Sequence, residues 1–220
     1  MQQFRESGIV VPGQFLSDNG KRSGPGTYTL EGKVYAAQAG IPRLVDGVIR
    51  VVPVSGRYRP ERGDNVIGIV TDIKPNIIEI DLGGEITAVL RLPERESPPL
   101  KLTLGDVIMA EVKSSGLRGV FLASEGLQKI RSGILITINA AKVPRLIGRK
   151  GSMIQLLKRE TGCDFWVGRN GLIVVSGRTA SSEFAAISAI NLIEREAHSQ
   201  GLTERVVQLL KSLKGEADSG

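Results

Sequence analysis

The chain has 220 residues, a formal net charge of +6 at pH 7 and nine aromatic residues, and it contains one cysteine, Cys163, and one histidine, His198. With one cysteine and one histidine the chain can form neither an intramolecular disulfide nor a Cys/His zinc site. A Ser-His-Asp triad could use only His198 as its histidine. Because no apolar run approaches the roughly 18 residues of a membrane span, we expect a cytoplasmic protein with no membrane contact, no metal or other cofactor, and a polyanionic partner.

The charge is unevenly distributed along the chain. Residues 1–60 carry eight basic and four acidic side chains, residues 61–125 carry seven and eleven, and residues 131–199 carry ten and five. Three segments with different charge balances predict a multidomain protein of β and α+β type. The predicted parts are an N-terminal β domain at 1–58, a barrel at 59–126, an α+β domain at 127–200, and a C-terminal helix and tail at 201–220.

The first segment predicts a small all-β domain. Glycine and proline interrupt it repeatedly, and short β-prone runs such as Thr27 to Leu30 and Val48 to Val52 lie between the interruptions. The stretch from Ser17 to Gly26 is polar and glycine-rich, which predicts a surface loop.

The second segment predicts a five-stranded barrel of the OB type. Apolar residues alternate with polar ones in the candidate strands, as in Asn76 to Leu82, and five short strands in about 60 residues are typical of this fold. The proline-rich stretch Pro93 to Pro99 is expected to connect the third and fourth strands. The five predicted strands are Val66 to Thr71, Asn76 to Leu82, Ile86 to Leu92, Asp106 to Val112 and Gly119 to Ala123.

The predicted barrel is poor in residues that bind nucleic acid by stacking. From Arg59 to Val120 the sequence has no Phe, Tyr or Trp, so we expect a barrel without a stacking platform. RNA contact would then depend on cations near the strand ends. The candidates are Arg91, Lys113 and Arg118.

The third segment predicts the order β-α-α-β-β-α. Alternating isoleucines from Ile134 indicate the first strand, and Asn170-Gly171 indicates a hairpin. A long helix follows, capped by Thr179 or Ser181, with an apolar stripe of Phe184, Ile187, Ile190, Ile193 and Ala197. A last helix would bury Leu202, Val206, Leu209 and Leu213. Trp166 is expected to pack against a neighbouring module.

A Gly-Arg-Lys-Gly sequence, Gly148 to Gly151, separates the two predicted helices. Glycine allows a nucleic-acid backbone to approach closely, and the next helix offers free N–H groups to a phosphate. Together with the β-α-α-β-β-α order this predicts a KH domain, whose GXXG loop clamps about four nucleotides. The alternative is that both glycines only form a tight turn. The predicted RNA-binding residues here are Arg145, Ile147, Gly148, Arg149, Lys150 and Gly151.

Little in the sequence indicates catalysis, and we expect no catalytic residues. A phosphate-binding Walker loop and the His-Glu-x-x-His zinc motif are both absent. Glu79 and Asp81 could in principle hold Mg²⁺ in a nuclease, but we favour alternation along an exposed strand face, which explains them without a metal.

These motifs, in this order, resemble the S1/KH-type RNA-binding cap subunit of the RNA exosome, in its archaeal form. The resemblance extends over nearly the whole chain. It is carried by Val10-Val11-Pro12-Gly13, Gly26-Thr27-Tyr28, Gly32-Lys33-Val34-Tyr35-Ala36, Gly56-Arg57-Tyr58 with Pro60, Gly63-Asp64, Ile147-Gly148-Arg149-Lys150-Gly151, Thr161-Gly162-Cys163-Asp164 and Val167-Gly168-Arg169-Asn170-Gly171.

The resemblance implies a non-catalytic subunit. Three copies would sit on a hexameric ring of RNase PH-type subunits, held by their N-terminal domains, and would guide single-stranded RNA 3′ ends to phosphorolytic sites for 3′-to-5′ degradation. The alternative is a free-standing S1/KH RNA-binding factor of transcription or ribosome function, a class that often carries paired KH domains.

Overall fold

The fold is taken from a computed structural model. It describes residues 8–18, 22–53, 58–91, 101–197, 199 and 201–217, with the side chains of 53 and 214–217 left out. The expected connection from Pro93 to Pro99 and His198 lie outside the described residues. The chain forms two compact units, residues 1–56 and 57–220. Among the helices of the described ranges, none combines the length and apolar character needed to cross a bilayer.

The first unit is all β, as the sequence predicts, and consists of two three-stranded sheets. Its strands are β1 (Phe15–Ser17), β2 (Arg22–Ser23), β3 (Thr27–Leu30), β4 (Lys33–Ala36), β5 (Gly40–Val45) and β6 (Val48–Pro53). The sheet orders are β1-β4-β3 and β2-β6-β5. A small core of Val10, Leu16, Val34, Ala36, Ile49 and Val51 is buried in this unit.

One local expectation in this unit needs correction. The stretch from Ser17 to Gly26 is not a loop throughout, because it contains β2, which pairs in parallel with β6. Gly24 allows this close pairing, since a Cβ there would lie 2.6 Å from Val48 Cγ1.

The second unit begins with a closed barrel. Its strands are β7 (Asn65–Lys74), β8 (Ile77–Asp81), β9 (Thr87–Arg91), β10 (Val107–Gly116) and β11 (Gly119–Leu122), and β12 (Gln128–Ile130) adds to β10. The strands pair in the cycle β7-β8-β9-β11-β10-β7, and only β9 and β11 run parallel. This is the five-stranded OB-type barrel that the alternating pattern predicts.

A β-α-α-β-β-α domain follows the barrel, which confirms the predicted KH order. Its elements are β13 (Ile134–Thr137), α1 (Val143–Ile147), α2 (Ser152–Thr161), β14 (Asp164–Val167), β15 (Leu172–Ser176) and α3 (Ala180–Arg195), with the sheet order β13-β15-β14. Thr179 caps α3, because its hydroxyl oxygen accepts from the Ser182 N–H at 3.2 Å.

The apolar stripes of the last two helices differ from the prediction in part, and the predicted stripe residue Ala197 lies beyond the end of α3 at Arg195. Phe184 is 63% exposed, because α3 is buried mainly through small residues such as Ala186 and Ala189, which let it approach its neighbours closely. On α4 (Leu202–Ala217) the buried residue is Leu210 rather than Leu209, since the buried row follows i, i+4, i+8 spacing from Leu202 and Val206.

The KH sheet is buried on both faces. Ile173 and Val175 of β15 belong to the core beneath the helices, whereas Leu172 and Val174 pack against Ile67 of the barrel. Trp166 is half-buried against this second cluster, which confirms its expected packing on a neighbouring module. We call this cluster the seam; its buried members are Ile67, Ile130, Leu172 and Val174. The barrel and the KH domain therefore share an apolar interface.

Candidate nucleic-acid interface

The loop Gly148 to Gly151 connects α1 to α2. Gly148 has φ 76°, and a Cβ at this position would lie 2.7 Å from the backbone N of Met153. Only glycine fits there without moving the first turn of α2. Gly148 is therefore required by the protein's own packing. For this residue the alternative explanation, that glycine only allows a tight turn, is sufficient.

Gly151 differs from Gly148 in its surroundings. It has φ 80°, but an added Cβ would meet nothing closer than Gln155 Nε2 at 3.8 Å. A side chain at Gly151 would therefore make only ordinary van der Waals contacts, and no side chain in the described ranges caps the N-terminus of α2. The N–H groups of the first turn of α2 are therefore left without a side-chain acceptor, the arrangement that suits a phosphate.

The two central residues of the loop supply positive charge. Arg149 and Lys150 are both exposed. Lys150 has φ 50° and ψ 32°, a left-handed conformation that costs an ordinary residue about 1–2 kcal/mol. Strained backbone of this kind is found preferentially at ligand-binding loops. The loop thus combines exposed cations, an open glycine and an uncapped helix.

The other predicted residues of this surface lie on α1. Ile147 is half-buried beside the loop, as is Ile154 on α2, whereas Ile173 and Val175 are fully buried. Arg145 is exposed, and its Nη2 donates to the Ser199 carbonyl at 3.3 Å. Arg145 therefore also ties α1 to the segment between α3 and α4.

A second surface lies on the barrel. Arg91 at the end of β9, Lys113 on β10 and Arg118 in the β10–β11 turn line one cleft with a volume of about 830 Å³. The structure thus brings the three predicted barrel cations together, and none of residues 145–151 lines this cleft. We call it the barrel cleft. A volume of this size is typical of ligand sites.

Two further residues of the barrel cleft were missed by the sequence argument. Arg62 adds a fourth cation, and Phe121 of β11 adds a half-buried ring. The Arg91 guanidinium lies 5.0 Å from the centre of the Phe121 ring, a cation–π distance. The barrel therefore does contain an aromatic ring, which the expectation did not take into account because the aromatic-free stretch ends one residue before Phe121; stacking of bases on this ring is a proposal. In the structure Phe121 lies between buried Val120 and Leu122, but the three residues form a continuous apolar run in the sequence, which does not show that Phe121 faces the cleft.

The carboxylates considered for a metal are engaged within the protein. Glu79 pairs with Lys74, and Asp81 accepts a hydrogen bond from the Gly83 N–H at 2.8 Å. Within the described ranges, no group of three or more His, Cys, Asp or Glu residues could hold a metal ion. The positions of Glu79 and Asp81 are explained by alternation along a strand face, together with these contacts.

Two family models match the chain in the regions just described. Residues 9–43 match the family described as the exosome complex exonuclease RRP4 N-terminal region, and residues 133–192 match the KH domain. The second match covers every KH element from β13 to most of α3.

Similar proteins extend over almost the whole chain. It is 38% identical over 218 residues to the exosome complex component Rrp4 of Thermococcus kodakarensis, which covers 93% of this chain and 85% of that protein. It is 37% identical over 214 residues to the Rrp4 component of Methanosarcina acetivorans, with 93% and 82% covered. A crystal structure provisionally described as an exosome complex RNA-binding protein matches with a TM-score of 0.66 and 32% identity, over 74% of this chain and 99% of that one. With its N-terminal β-sheets, its OB-type barrel and its KH domain, the chain belongs to the family of archaeal exosome components Rrp4.

Proposed function

We propose that this chain is a non-catalytic RNA-binding cap subunit of an exosome in the cytoplasm. It would recruit single-stranded RNA 3′ ends and guide them into a phosphorolytic ring of RNase PH-type subunits for 3′-to-5′ degradation. The observation that carries the proposal is the open GXXG loop with exposed Arg149 and Lys150, in a chain whose relatives are named exosome components.

The two nucleic-acid surfaces complement each other chemically. The GXXG loop offers amides and cations to phosphates, while the barrel cleft offers a ring and four cations. Phosphate contacts hold RNA of any sequence, and stacking on one ring tolerates every base. A subunit that passes many different RNAs to a degrading ring needs this kind of sequence-tolerant binding.

The first unit is suited to the docking role that we assign to it. It exposes several apolar side chains, among them Ile9 at 61%, Val11 at 57% and Leu30 at 56%. Tyr28 is also exposed and stacks on Tyr35 at 5.6 Å between ring centres. Exposed apolar groups clustered in one small unit favour a protein partner. We infer that this unit attaches three copies of the chain to the hexameric ring.

A degradation assay with purified components tests the proposal. Labelled oligouridine and inorganic phosphate are incubated with the ring subunits alone, with this chain alone, and with both. We expect the chain alone to leave the RNA intact, and the mixture to degrade it faster than the ring alone. Shortening of the RNA by the isolated chain would show an enzyme, and an unchanged rate in the mixture would contradict the cap role.

A further inference from the structure

We propose that the chain has a third nucleic-acid site, which binds the phosphodiester backbone of RNA where the barrel meets the KH domain. The site is a groove of about 680 Å³ whose lining includes Lys101, Asp106, Lys129, Arg131, Leu135 and Val174. We call it the seam groove. This inference rests on the proposed function in one respect only, namely that the chain binds RNA.

The described side chains that line the seam groove carry more positive than negative charge. Among the described residues that line the groove, the one carboxylate is that of Asp106, and it is engaged twice, since its Oδ2 accepts from Lys129 Nζ at 2.6 Å and from the Thr103 N–H at 2.6 Å. Lys101 and Arg131 are exposed and form no ion pair or hydrogen bond with any described residue. Two cations therefore remain available to a polyanion along one groove.

The floor of the groove comes from both modules. Val107 lies at the start of β10, while Leu135 and Val174 lie on the KH sheet. The turn that connects β12 of the barrel to β13 of the KH sheet requires Gly133. This residue has φ 126°, and an added Cβ would lie 2.6 Å from the Val175 carbonyl oxygen. This tight turn places Arg131 and Ser132 beside the groove. The groove therefore exists only because the barrel and the KH domain pack together.

The position of the groove favours RNA over a protein partner. The seam groove includes Val107 at the start of β10, and the barrel cleft includes Lys113 further along the same strand, about 20 Å away at 3.3 Å per residue. An RNA molecule held in the barrel cleft is thereby kept at high local concentration near the groove. A second contact with the same RNA molecule then requires only modest intrinsic affinity.

A charge-removal experiment tests the groove in the full-length chain. The variant Lys101→Ala/Arg131→Ala is compared with the control Lys33→Ala/Lys211→Ala, which removes the same charge from exposed side chains outside the groove. Binding of a long fluorescent oligouridine is followed by anisotropy over a range of salt concentrations. We expect the groove variant to bind about fivefold to tenfold more weakly and its log–log salt slope to fall by about 1.4, or about 0.7 for each lost phosphate contact.

The outcomes separate this inference from the proposed function. If the wild type binds oligouridine and the groove variant has the affinity and salt slope of the control, the groove inference is wrong while RNA binding stands. If the groove variant retains RNA affinity but no longer joins the ring subunits, the groove contacts protein and the inference is likewise wrong. Absence of binding by the wild type would overturn both.

Discussion

The side chain of Asn170 forms two hydrogen bonds with the backbone of Ile67, which lies 103 residues away in the sequence. Its Nδ2 donates to the Ile67 carbonyl at 2.7 Å, and its Oδ1 accepts from the Ile67 N–H at 3.2 Å. The same Nδ2 also donates to the Leu82 carbonyl at 2.7 Å. A buried amide in the KH hairpin thus completes the backbone hydrogen bonding of two barrel segments.

Neighbouring polar groups extend this connection. The Arg169 N–H donates to the Asn65 carbonyl at 2.8 Å, and Arg169 Nε lies 3.6 Å from Asp64 Oδ1. Asp64 Oδ2 in turn accepts from the Tyr58 hydroxyl at 2.7 Å. Burial, and then the hydrogen bond to Asp64, raise the pKa of Tyr58 above its usual value, so its hydroxyl remains a donor even at alkaline pH. The seam is thus apolar at its centre and hydrogen-bonded beside it.

Replacing Asn170 should destabilise the second unit. Asn170→Ala leaves three buried backbone groups without their partner, which we expect to cost about 2–4 kcal/mol of unfolding free energy. Trp166, the one tryptophan of the sequence, packs at the seam, so urea unfolding followed by its fluorescence reports on this region. Asn76→Ala, in an exposed turn, is the control and should change the unfolding free energy by less than about 0.5 kcal/mol. Equal midpoints for the two variants would show that the hydrogen bonds contribute nothing.

The KH loop is tested by adding a negative charge where there is room for it. Gly151→Asp should weaken oligouridine binding at least about tenfold, because the carboxylate opposes a phosphate, while the unfolding free energy falls by about 1–2 kcal/mol, because the side chain must accept φ 80°. Gly162→Asp is the matched control. It has a similar φ of 68° and open space, but lies at the other end of α2. An unchanged affinity of the Gly151 variant would exclude a role of this loop in RNA binding.

The ring in the barrel cleft is tested by removing its aromatic character. Phe121→Leu keeps an apolar side chain and loses the stacking surface, which should cost about 1–3 kcal/mol of RNA binding free energy. Phe184→Leu makes the same change at an exposed position on α3 and should leave binding unchanged. Both affinities are measured by fluorescence anisotropy with one oligouridine at one salt concentration. Similar affinities for the two variants would mean that no base stacks on Phe121.

The stability of the second unit should depend on pH through Asp106. The hydrogen bonds to Lys129 and to the Thr103 N–H lower the pKa of Asp106 in the folded protein. Its stabilising contribution is therefore present above the unfolded pKa of about 4 and is lost as the pH falls below that value. We expect Asp106→Asn to lower the melting temperature at pH 7 and to lose less stability than the wild type below pH of about 4.

The control for this pH prediction is Glu125→Gln, at an exposed carboxylate. Its melting temperature should follow the wild-type pH dependence. If the melting temperatures of Asp106→Asn and of the wild type fall equally below pH of about 4, the Asp106 carboxylate does not contribute to the pH dependence of stability.

Most elements of the fold could be predicted from hydrophobic periodicity and local motifs in the sequence. Alternation predicted the five barrel strands, and the GXXG spacing predicted the α1–α2 connection. Both were predictable because each signal is local: the residues that form it lie within a few positions of one another in the sequence. The hairpin signal at Asn170-Gly171 was correct, since β14 and β15 pair around it. The use of the Asn170 side chain across the seam could not be predicted, because its partners are distant in sequence.

The candidate site was predictable to a smaller degree. The cations Arg91, Lys113 and Arg118 were identified individually, but their meeting in one cleft depends on barrel closure through the β9–β11 pairing. The exposure of Phe184 was missed because a helical stripe does not show which of its members tertiary packing covers. The seam groove has no sequence signal, since two modules line it.

The most direct test of the central claim is native mass spectrometry of the complex that copurifies with the tagged chain from an extract of its own cells. The account predicts an assembly of three copies of this chain with six RNase PH-type subunits. Recovery of the chain alone, or with ribosomal or transcription particles and no ring subunits, would contradict it and favour a free-standing RNA-binding factor.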